Sequence, residues 1–341
     1  MIKTASVNTT QLRRVVLRQS YLFPLLLLVI AVAINYALEP NFFQPAALSD
    51  NLQSFLPLML LAAGQAIVII GGGVDLSLGA IVSLVTVVMV HTMGSNPGVS
   101  QTAFAIALGF ISGILAGALN GFCVAILRFQ PIVTTFATSY VFSGLALLVM
   151  PSAGGSVPAD LMNVYLSNPL GIPLTIWVIV IILLLWNLLR STRFSRYLFA
   201  VGGQSMSAYV TGVPVSLIRF STYVLAGLLA ALSGFVLVLS TGTGDPLVGA
   251  PMTLESIVAV VLGGTRLSGG QGGITGAFIG VIILSLILNI IFFANVPSWW
   301  QTLVNGLIVL LALTGPGVVA FIRGRLSPAT ERLPFVRKVR S

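Results

Sequence analysis

Gly71-Gly72-Gly73-Val74-Asp75-Leu76-Ser77-Leu78-Gly79-Ala80 interrupts a run of apolar residues, and the fold turns on how that interruption is read. A second stretch, Gly263-Gly264-Thr265-Arg266-Leu267-Ser268-Gly269-Gly270-Gln271-Gly272-Gly273, repeats its pattern. Laid with Gly72 on Gly263, the two share Gly-Gly-x-x-Leu-Ser-x-Gly, and Asp75 stands in one where Arg266 stands in the other. Glycine weakens a helix, and a lone charge inside a bilayer is desolvated. Non-helical backbone at that depth survives only where protein or a water-filled cavity covers it. Paired interruptions of this kind read either as joints on a transport path or as tight turns between packed helices.

Outside these stretches the composition decides the class. Of 341 residues, 57% are hydrophobic and 7% charged, with a mean hydropathy of +1.07. Soluble domains carry about 25% charged residues, so this is an all-α polytopic membrane protein. No polar stretch is long enough for a separate soluble domain. The net charge of +9 and pI near 10.5 do not indicate nucleic acid, because the bases fall at the ends of apolar segments rather than on one face. The first apolar run follows Lys3, Arg13, Arg14 and Arg18 and ends at Glu39-Pro40-Asn41 without a small-residue cleavage site, which reads as an uncleaved helix. Cys123 is the single cysteine and lies in an apolar run, where core packing is its default role.

A membrane-spanning helix needs about 20 apolar residues. The apolar runs cover residues 21–38, 52–71, 78–93, 101–127, 131–150, 169–189, 221–240, 252–262, 274–293 and 300–322, which predicts about ten transmembrane helices with a short eighth. With the N-terminus inside, all 16 Lys and Arg fall on the cytoplasmic side, including Arg128, Arg190, Arg193, Arg196, Arg219, Arg266 and the tail from Arg323 to Arg340. Glu39, Asp50, Asp160, Asp245 and Glu255 fall outside. The expected organisation is a cytoplasmic segment over 1–20, a transmembrane domain over 21–322 with a cytoplasmic loop at 190–219, and a basic cytoplasmic tail over 323–341. The longest external loop runs from Pro151 to Pro169. His91 at the outer end of the third run reads as structural, Trp299-Trp300 as an interfacial anchor, and Trp177 and Trp186 as lipid-facing or belt residues.

The cytoplasmic loop is the one internal stretch with room for a partner. Ser205 is placed to cap a short helix that runs to about Val210 or Thr211, with Gly212 as its C-terminal stop and Pro214 just beyond. Ser205, Ser207 and Ala208 would leave a low surface for docking; the alternative is a connector that only turns the chain.

Four segments together resemble the membrane permeases of the ribose-type branch of ABC importers. Gly72-Gly73-Val74-Asp75-Leu76-Ser77-Leu78-Gly79 is similar to that family's Gly-Gly-(Ile/Val)-Asp-Leu-Ser-(Val)-Gly. Leu119-Asn120-Gly121, followed by Pro131-Ile132-Val133-Thr134-Thr135 and Thr138, resembles its Asn-Gly … Pro-x-(Ile/Val)-x-Thr-Leu, with Thr135 where leucine is usual. Ala200 to Val213 resembles Ala-x-Gly-Gly-Asn-x-x-Ala-Ala-x-x-x-Gly-Ile, with Gln204 for asparagine. Gly263-Gly264-Thr265 with Leu267-Ser268-Gly269-Gly270 is similar to Gly-Gly-Thr-x-Leu-x-Gly-Gly. The likeness covers about residues 20 to 323.

The resemblance implies a division of labour. Two permeases, identical or related, would form the pore of a bacterial inner-membrane sugar importer. Cytoplasmic ABC ATPase subunits would drive it, and an extracytoplasmic sugar-binding protein would deliver the cargo. Gly202, Gly203, Gln204, Ser205, Ser207, Ala208 and Gly212 would then form the coupling helix on the ATPase. Independently, the only lysines, Lys3 and Lys338, follow no Walker A loop, so ATP hydrolysis and its cofactor belong to partner subunits and the chain itself holds none.

Alternating access would pass from that loop to the joints, namely Gly72, Gly73, Asp75, Ser77 and Gly79 in one and Gly263, Gly264, Arg266, Gly269 and Gly270 in the other. Asp75 and Arg266 would either pair across a gate or act as a helix cap and an ordinary cytoplasmic charge. Gln65, Asn120, Thr134 and Thr138, with Ser83, Thr86, Ser139, Asn289 and Asn305, would either line a sugar path or hydrogen-bond between helices. A transporter driven by an ion gradient, a branched-chain amino-acid-type ABC permease and an intramembrane enzyme are the alternatives. No mid-span acid supports the first, the Gly-Gly-Val-Asp-Leu-Ser motif argues against the second, and the absence of paired carboxylates or a metal cluster argues against the third.

Overall fold

The computed structural model describes residues 22–294, together with Pro297, Trp300, Leu303, Gly306, Leu307 and Leu310. The expected N-terminal segment, basic tail and most of the last apolar run, with Asn305, lie outside the described residues. The chain divides into two units, 1–296 and 297–341. In the second, Trp300, Leu303, Gly306, Leu307 and Leu310 are helical and exposed.

Among the described residues of the first unit all regular secondary structure is helical, apart from one isolated backbone pairing of Gly154 with Gly244. In chain order the α-helices are α1 (Leu22–Leu38), α2 (Pro45–Ile70), α3 (Leu78–Met93), α4 (Val99–Gly121), α5 (Pro131–Val149), α6 (Ala159–Tyr165), α7 (Leu174–Ser191), α8 (Arg193–Gly203), α9 (Ser205–Val210), α10 (Val215–Thr241), α11 (Met252–Leu262) and α12 (Ile274–Phe293). Each apolar run that falls on described residues coincides with a helix. Six of these are long and apolar enough to cross a membrane: α2, α4 with its extension to Ile126, α5, α7, α10 and α12. α1, α3 and α11 are shorter apolar helices. At 1.5 Å per residue, the 11 residues of α11 reach only about 16 Å, half of a hydrocarbon core of about 30 Å.

α2 is the axis of this unit. Every residue from Phe55 to Ile70 is buried, and α10, α11 and α12 all pack on it. Pro57 lies inside it and has no N–H to give the Gln53 carbonyl. The Tyr165 hydroxyl of α6 donates to that oxygen at 2.8 Å, and Tyr165 itself is buried among Leu56, Leu60, Val236 and Leu239. Helices in lipid gain nothing from burying apolar surface against each other, so they associate through small residues that let backbones approach. α4 carries Gly109, Gly113, Gly117 and Gly121 at four-residue spacing. A Cβ on Gly117 would overlap the Tyr223 carbonyl oxygen and come within 2.9 Å of Gly227 Cα on α10. Gly276 and Gly280 of α12 press in the same way on the Gly263 and Ala259 carbonyls.

Trp186 departs from the expected lipid-facing position. It is buried, and a Cβ on Gly273 would meet its indole nitrogen at 3.5 Å. Trp177 sits at the start of α7 and donates to the Pro169 carbonyl at 3.4 Å.

Candidate functional site

The two glycine-rich breaks are one backbone motif used twice. Gly71 caps α2, Gly72 turns left-handed at φ +83°, and its N–H reaches Ile69 O at 2.9 Å while the Gly73 N–H reaches Val68 O at 3.0 Å. After α11, Gly263 ends the helix, Gly264 takes φ +85°, and the N–H groups of Gly264 and Thr265 reach Val261 O at 2.9 Å and Val260 O at 3.1 Å. Both are Schellman caps, which satisfy the last helical carbonyls and demand a residue without a Cβ at the turn. The backbone therefore lays Gly71 on Gly263 and Gly72 on Gly264, one residue away from the register of the shared sequence pattern. The short helix α9 ends in the same way, with Gly212 at φ +82° and the N–H groups of Gly212 and Val213 on Tyr209 O and Ala208 O.

These breaks meet at Gly202, near the end of α8. A Cβ there would overlap the carbonyl oxygen of Ile70 and lie 2.7 Å from the Gly270 nitrogen. Gly269, at φ +82°, faces Gly72 Cα, where a Cβ would fit only to 2.9 Å, and Gly270 faces Gly203 Cα at 2.6 Å by the same measure. One hydrogen bond closes the knot: Gly270 N–H donates to Ile70 O at 2.9 Å. Three glycine clusters far apart in sequence are thus in direct backbone contact, and α8 enters between the two breaks. Gly79 makes a second close approach, to Gly249 in the segment before α11, and its N–H donates to Thr253 Oγ1 at 3.0 Å.

Asp75 and Arg266 form no ion pair. Asp75 is wholly buried, and its Oδ1 accepts from the Ser77 N–H at 2.8 Å and the Ser77 hydroxyl at 2.7 Å, which makes a turn ahead of α3. Asn120 Nδ2 donates to Ser77 Oγ at 2.7 Å and lies 3.4 Å from Asp75 Oδ2, while Thr138 donates to Asn120 Oδ1 at 2.7 Å. Thr135, at the position where leucine was expected, accepts from the Leu76 N–H at 3.0 Å. The two motifs read separately in the sequence therefore form one polar network that ties the first break to α4 and α5. Arg266 is exposed on the second break.

The remaining polar residues split unevenly. Thr134 donates to Gln130 O, Thr86 to the carbonyls of Ser83 and Asp245, Ser139 to Phe136 O, and Asn289 to Asn51 Oδ1, and Ser83 accepts from the Gly249 N–H. Gln65 differs: it is wholly buried in α2 and neither amide atom has a hydrogen-bond partner.

The short helix forms where the sequence placed it, over Ser205–Val210, but Ser205 is its first residue rather than its cap, and Gln204 in the cap position makes no side-chain hydrogen bond. The low docking surface is also corrected. Ala208 and Gly202 face inward, and the outward face carries Met206, Tyr209 and Val210, exposed at 70%, 68% and 76%. Their spacing of three and four residues was a legible signal of one apolar stripe. Gly203, Gln204, Ser207 and Gly212 are exposed beside it and Ser205 is half-buried.

Against known families, residues 47–313 match the model described as branched-chain amino acid transport system / permease component. The chain belongs to this permease family. It is 32% identical over 295 residues to the ribose import permease protein of Escherichia coli, covering 85% of this chain and 91% of that protein. To the ribose import permease protein of Bacillus subtilis it is 35% identical over 294 residues, with 85% and 90% covered. The autoinducer 2 import system permease protein of Yersinia pseudotuberculosis matches at 31% over 316 residues, with 90% and 86% covered. No solved structure matches. The family resemblance carried by the four motifs is thus upheld, and the permease is a multi-pass membrane protein.

Proposed function

We propose that this permease is the membrane-spanning subunit of an ATP-driven importer for a monosaccharide or a similarly polyhydroxylated small molecule. The relatives that import ribose and autoinducer 2 support the cargo class, and they match across nearly their whole length. The alternative branched-chain amino-acid cargo has only the broad family description behind it, and an ion-driven carrier has no support from the relatives.

In this reading the protein lies in the bacterial cytoplasmic membrane with about ten spans, the short helices included, and both termini inside. Residues 21–322 form the permease domain. A cytoplasmic ABC ATPase seats on α9 through Met206, Tyr209 and Val210, and a sugar-binding protein loads the opposite face. A second permease, the same chain or a related one, completes the pore. The chain is not itself an enzyme; ATP is bound and hydrolysed by the partner.

The observation that carries the mechanism is the contact of Gly202 with both breaks. Because α9 follows α8 after a single residue, a displacement of α9 by the ATPase is delivered to the ends of α2 and α11 together. Purification of the tagged chain from its native membrane in mild detergent tests this. A P-loop ATPase should co-purify, and replacing Met206, Tyr209 and Val210 by serine should reduce its recovery at least ~10-fold without unfolding the permease. Recovery of the chain alone, with uptake that follows an ion gradient and ignores ATP, would sink the assignment.

A further inference from the structure

A cleft of about 1020 Å³ opens between the end of α4, the start of α5, α9 and the start of α10. Its walls include two arginines, Arg128 and Arg219, and no carboxylate. Arg219 is half-buried and Arg128 exposed, and among the described residues neither arginine has an acid within ion-pairing distance. A guanidinium withdrawn from water without a counter-charge is costly, and it binds phosphate oxygens in a bidentate manner when they are offered. The backbone adds a second, independent sign. α4 ends in a π-helical turn, Phe122–Ile126, and Arg128 is then held left-handed at φ +60°, a conformation that glycine or asparagine adopts more cheaply. The Phe129 N–H on Cys123 O at 3.1 Å fixes that turn. Strain kept at an arginine beside a cleft points to work done by its side chain.

Most of the rest of the wall is apolar, with Val124, Ile126, Phe129, Leu217 and Phe220; Gln130, Ser205 and Ser216 are its polar members, and Met206 and Tyr209 close the side shared with the proposed ATPase seat. It runs on into the exposed apolar surface of Phe122, Ile126, Leu127, Phe129 and Leu217, which a bilayer would cover. A soluble anion would use the arginines and waste this wall, whereas a phospholipid uses both. We infer that the cleft holds an anionic phospholipid, its phosphate between Arg128 and Arg219 and its proximal acyl chain along the π-turn. Arg219 also borders the small void lined by Gly71, Gly72, Gly73 and Tyr223, so the headgroup site adjoins the first glycine joint. Occupancy would brace the end of α10 against that joint. The inference takes from the functional reading only that this end of the bundle lies at a membrane surface.

The test uses the full permease alone, without ATPase or cargo, so that its failure is separate from failure of the importer reading. Delipidated protein in detergent is titrated with phosphatidylglycerol, phosphatidylcholine or inorganic phosphate, and bound lipid is counted by native mass spectrometry alongside the melting temperature. Phosphatidylglycerol should bind one per chain and raise the melting temperature, with phosphatidylcholine at least ~10-fold weaker. Arg128→Gln and Arg219→Gln should each weaken phosphatidylglycerol ~10-fold or more. Arg219→Lys, which keeps the charge but loses the bidentate fork, should bind more tightly than Arg219→Gln and less tightly than the parent, so a simple folding defect is distinguishable. Arg190→Gln, on an exposed arginine outside the cleft, should change nothing. Equal loss in Arg190→Gln would mean diffuse surface attraction and overturn the site. An equal shift with inorganic phosphate would make it a soluble-anion site and overturn the lipid. Stoichiometric release of the lipid on adding the ATPase would give the cleft to the ATPase and overturn it too.

Discussion

Gly202→Ala is the sharpest perturbation of the proposed joint, because the adjacent Gly203 supplies its own control. At Gly202 the added methyl overlaps the Ile70 carbonyl oxygen and lies 2.7 Å from the Gly270 nitrogen, both backbone atoms that cannot rotate away. Overpacking of this kind costs about 1–3 kcal/mol. If the two breaks part to admit it, the hydrogen bond from Gly270 N–H to Ile70 O is lost, for about 1 kcal/mol more. The sum is roughly 2–4 kcal/mol, or a fall in melting temperature of roughly 3–6 °C for a chain of this length. At Gly203 the same methyl meets nothing within 4 Å, so Gly203→Ala should stay within about 0.5 kcal/mol of the parent. Melting in detergent reads stability, and ATP-driven uptake in proteoliposomes with the partner subunits reads transport. Gly202→Ala should lose both, and at permissive temperature it should lose uptake more than ATPase binding. Equal behaviour of the two alanine variants, or a Gly202→Ala protein as stable as the parent, would refute the three-way contact.

Three further outcomes follow from named contacts. Asn120→Ala removes the donor to Ser77 Oγ and the acceptor of Thr138, leaving buried polar atoms unpaired, and should lower stability by about 2–4 kcal/mol in a thermal melt. Tyr165→Phe deprives the Gln53 carbonyl beside Pro57 of its donor; a loss of about 1–3 kcal/mol is expected, with no change in ATPase recovery by pull-down. Gly117→Val, set against the Tyr223 carbonyl and Gly227, should abolish recovery of folded protein by size-exclusion chromatography, whereas Gly144→Ala, with open space around it, should be neutral.

The class of the fold was legible because bilayer thickness acts on every span in the same way, so apolar runs and helices coincide wherever both are described. Whether a run crosses is less legible. Length alone separates α11, with 11 residues, from α2, with 26, yet both are part of one packed unit. The glycines were legible as interruptions, and the cause of each was not. Four-residue spacing on α4 marks a packing face, but its partner Gly227 lies in another helix, and no local pattern names it. The register of the two breaks was misread by one residue because Leu-Ser-x-Gly matches better in sequence than the caps do. A Schellman cap is set by φ at a single glycine, and three consecutive glycines leave the choice open. Asp75 and Arg266 looked complementary only in that register. Burial separates them: the network of Ser77 and Asn120 satisfies Asp75, while Arg266 faces outward.

The breaks also differ from flexible hinges in a way that bears on transport. A hinge absorbs motion through free backbone torsions, but here the end-turn amides of both helices are hydrogen-bonded, and Gly72 and Gly264 are committed to one conformation by their caps. Glycine serves close approach at Gly202, Gly269 and Gly270, where any side chain would force the backbones apart. In the proposed mechanism such a joint would transmit displacement instead of dissipating it. A swing of α8 would press on the end of α2 through Ile70 and on the second break through Gly270. The Asp75 network then carries the first break to α4 and α5, and the Gly263–Gly276 contact carries the second to α12. Motion delivered to one short helix would reach both halves of the bundle with no element needing to bend in its middle, which is what two discrete packings of a rigid set of helices require.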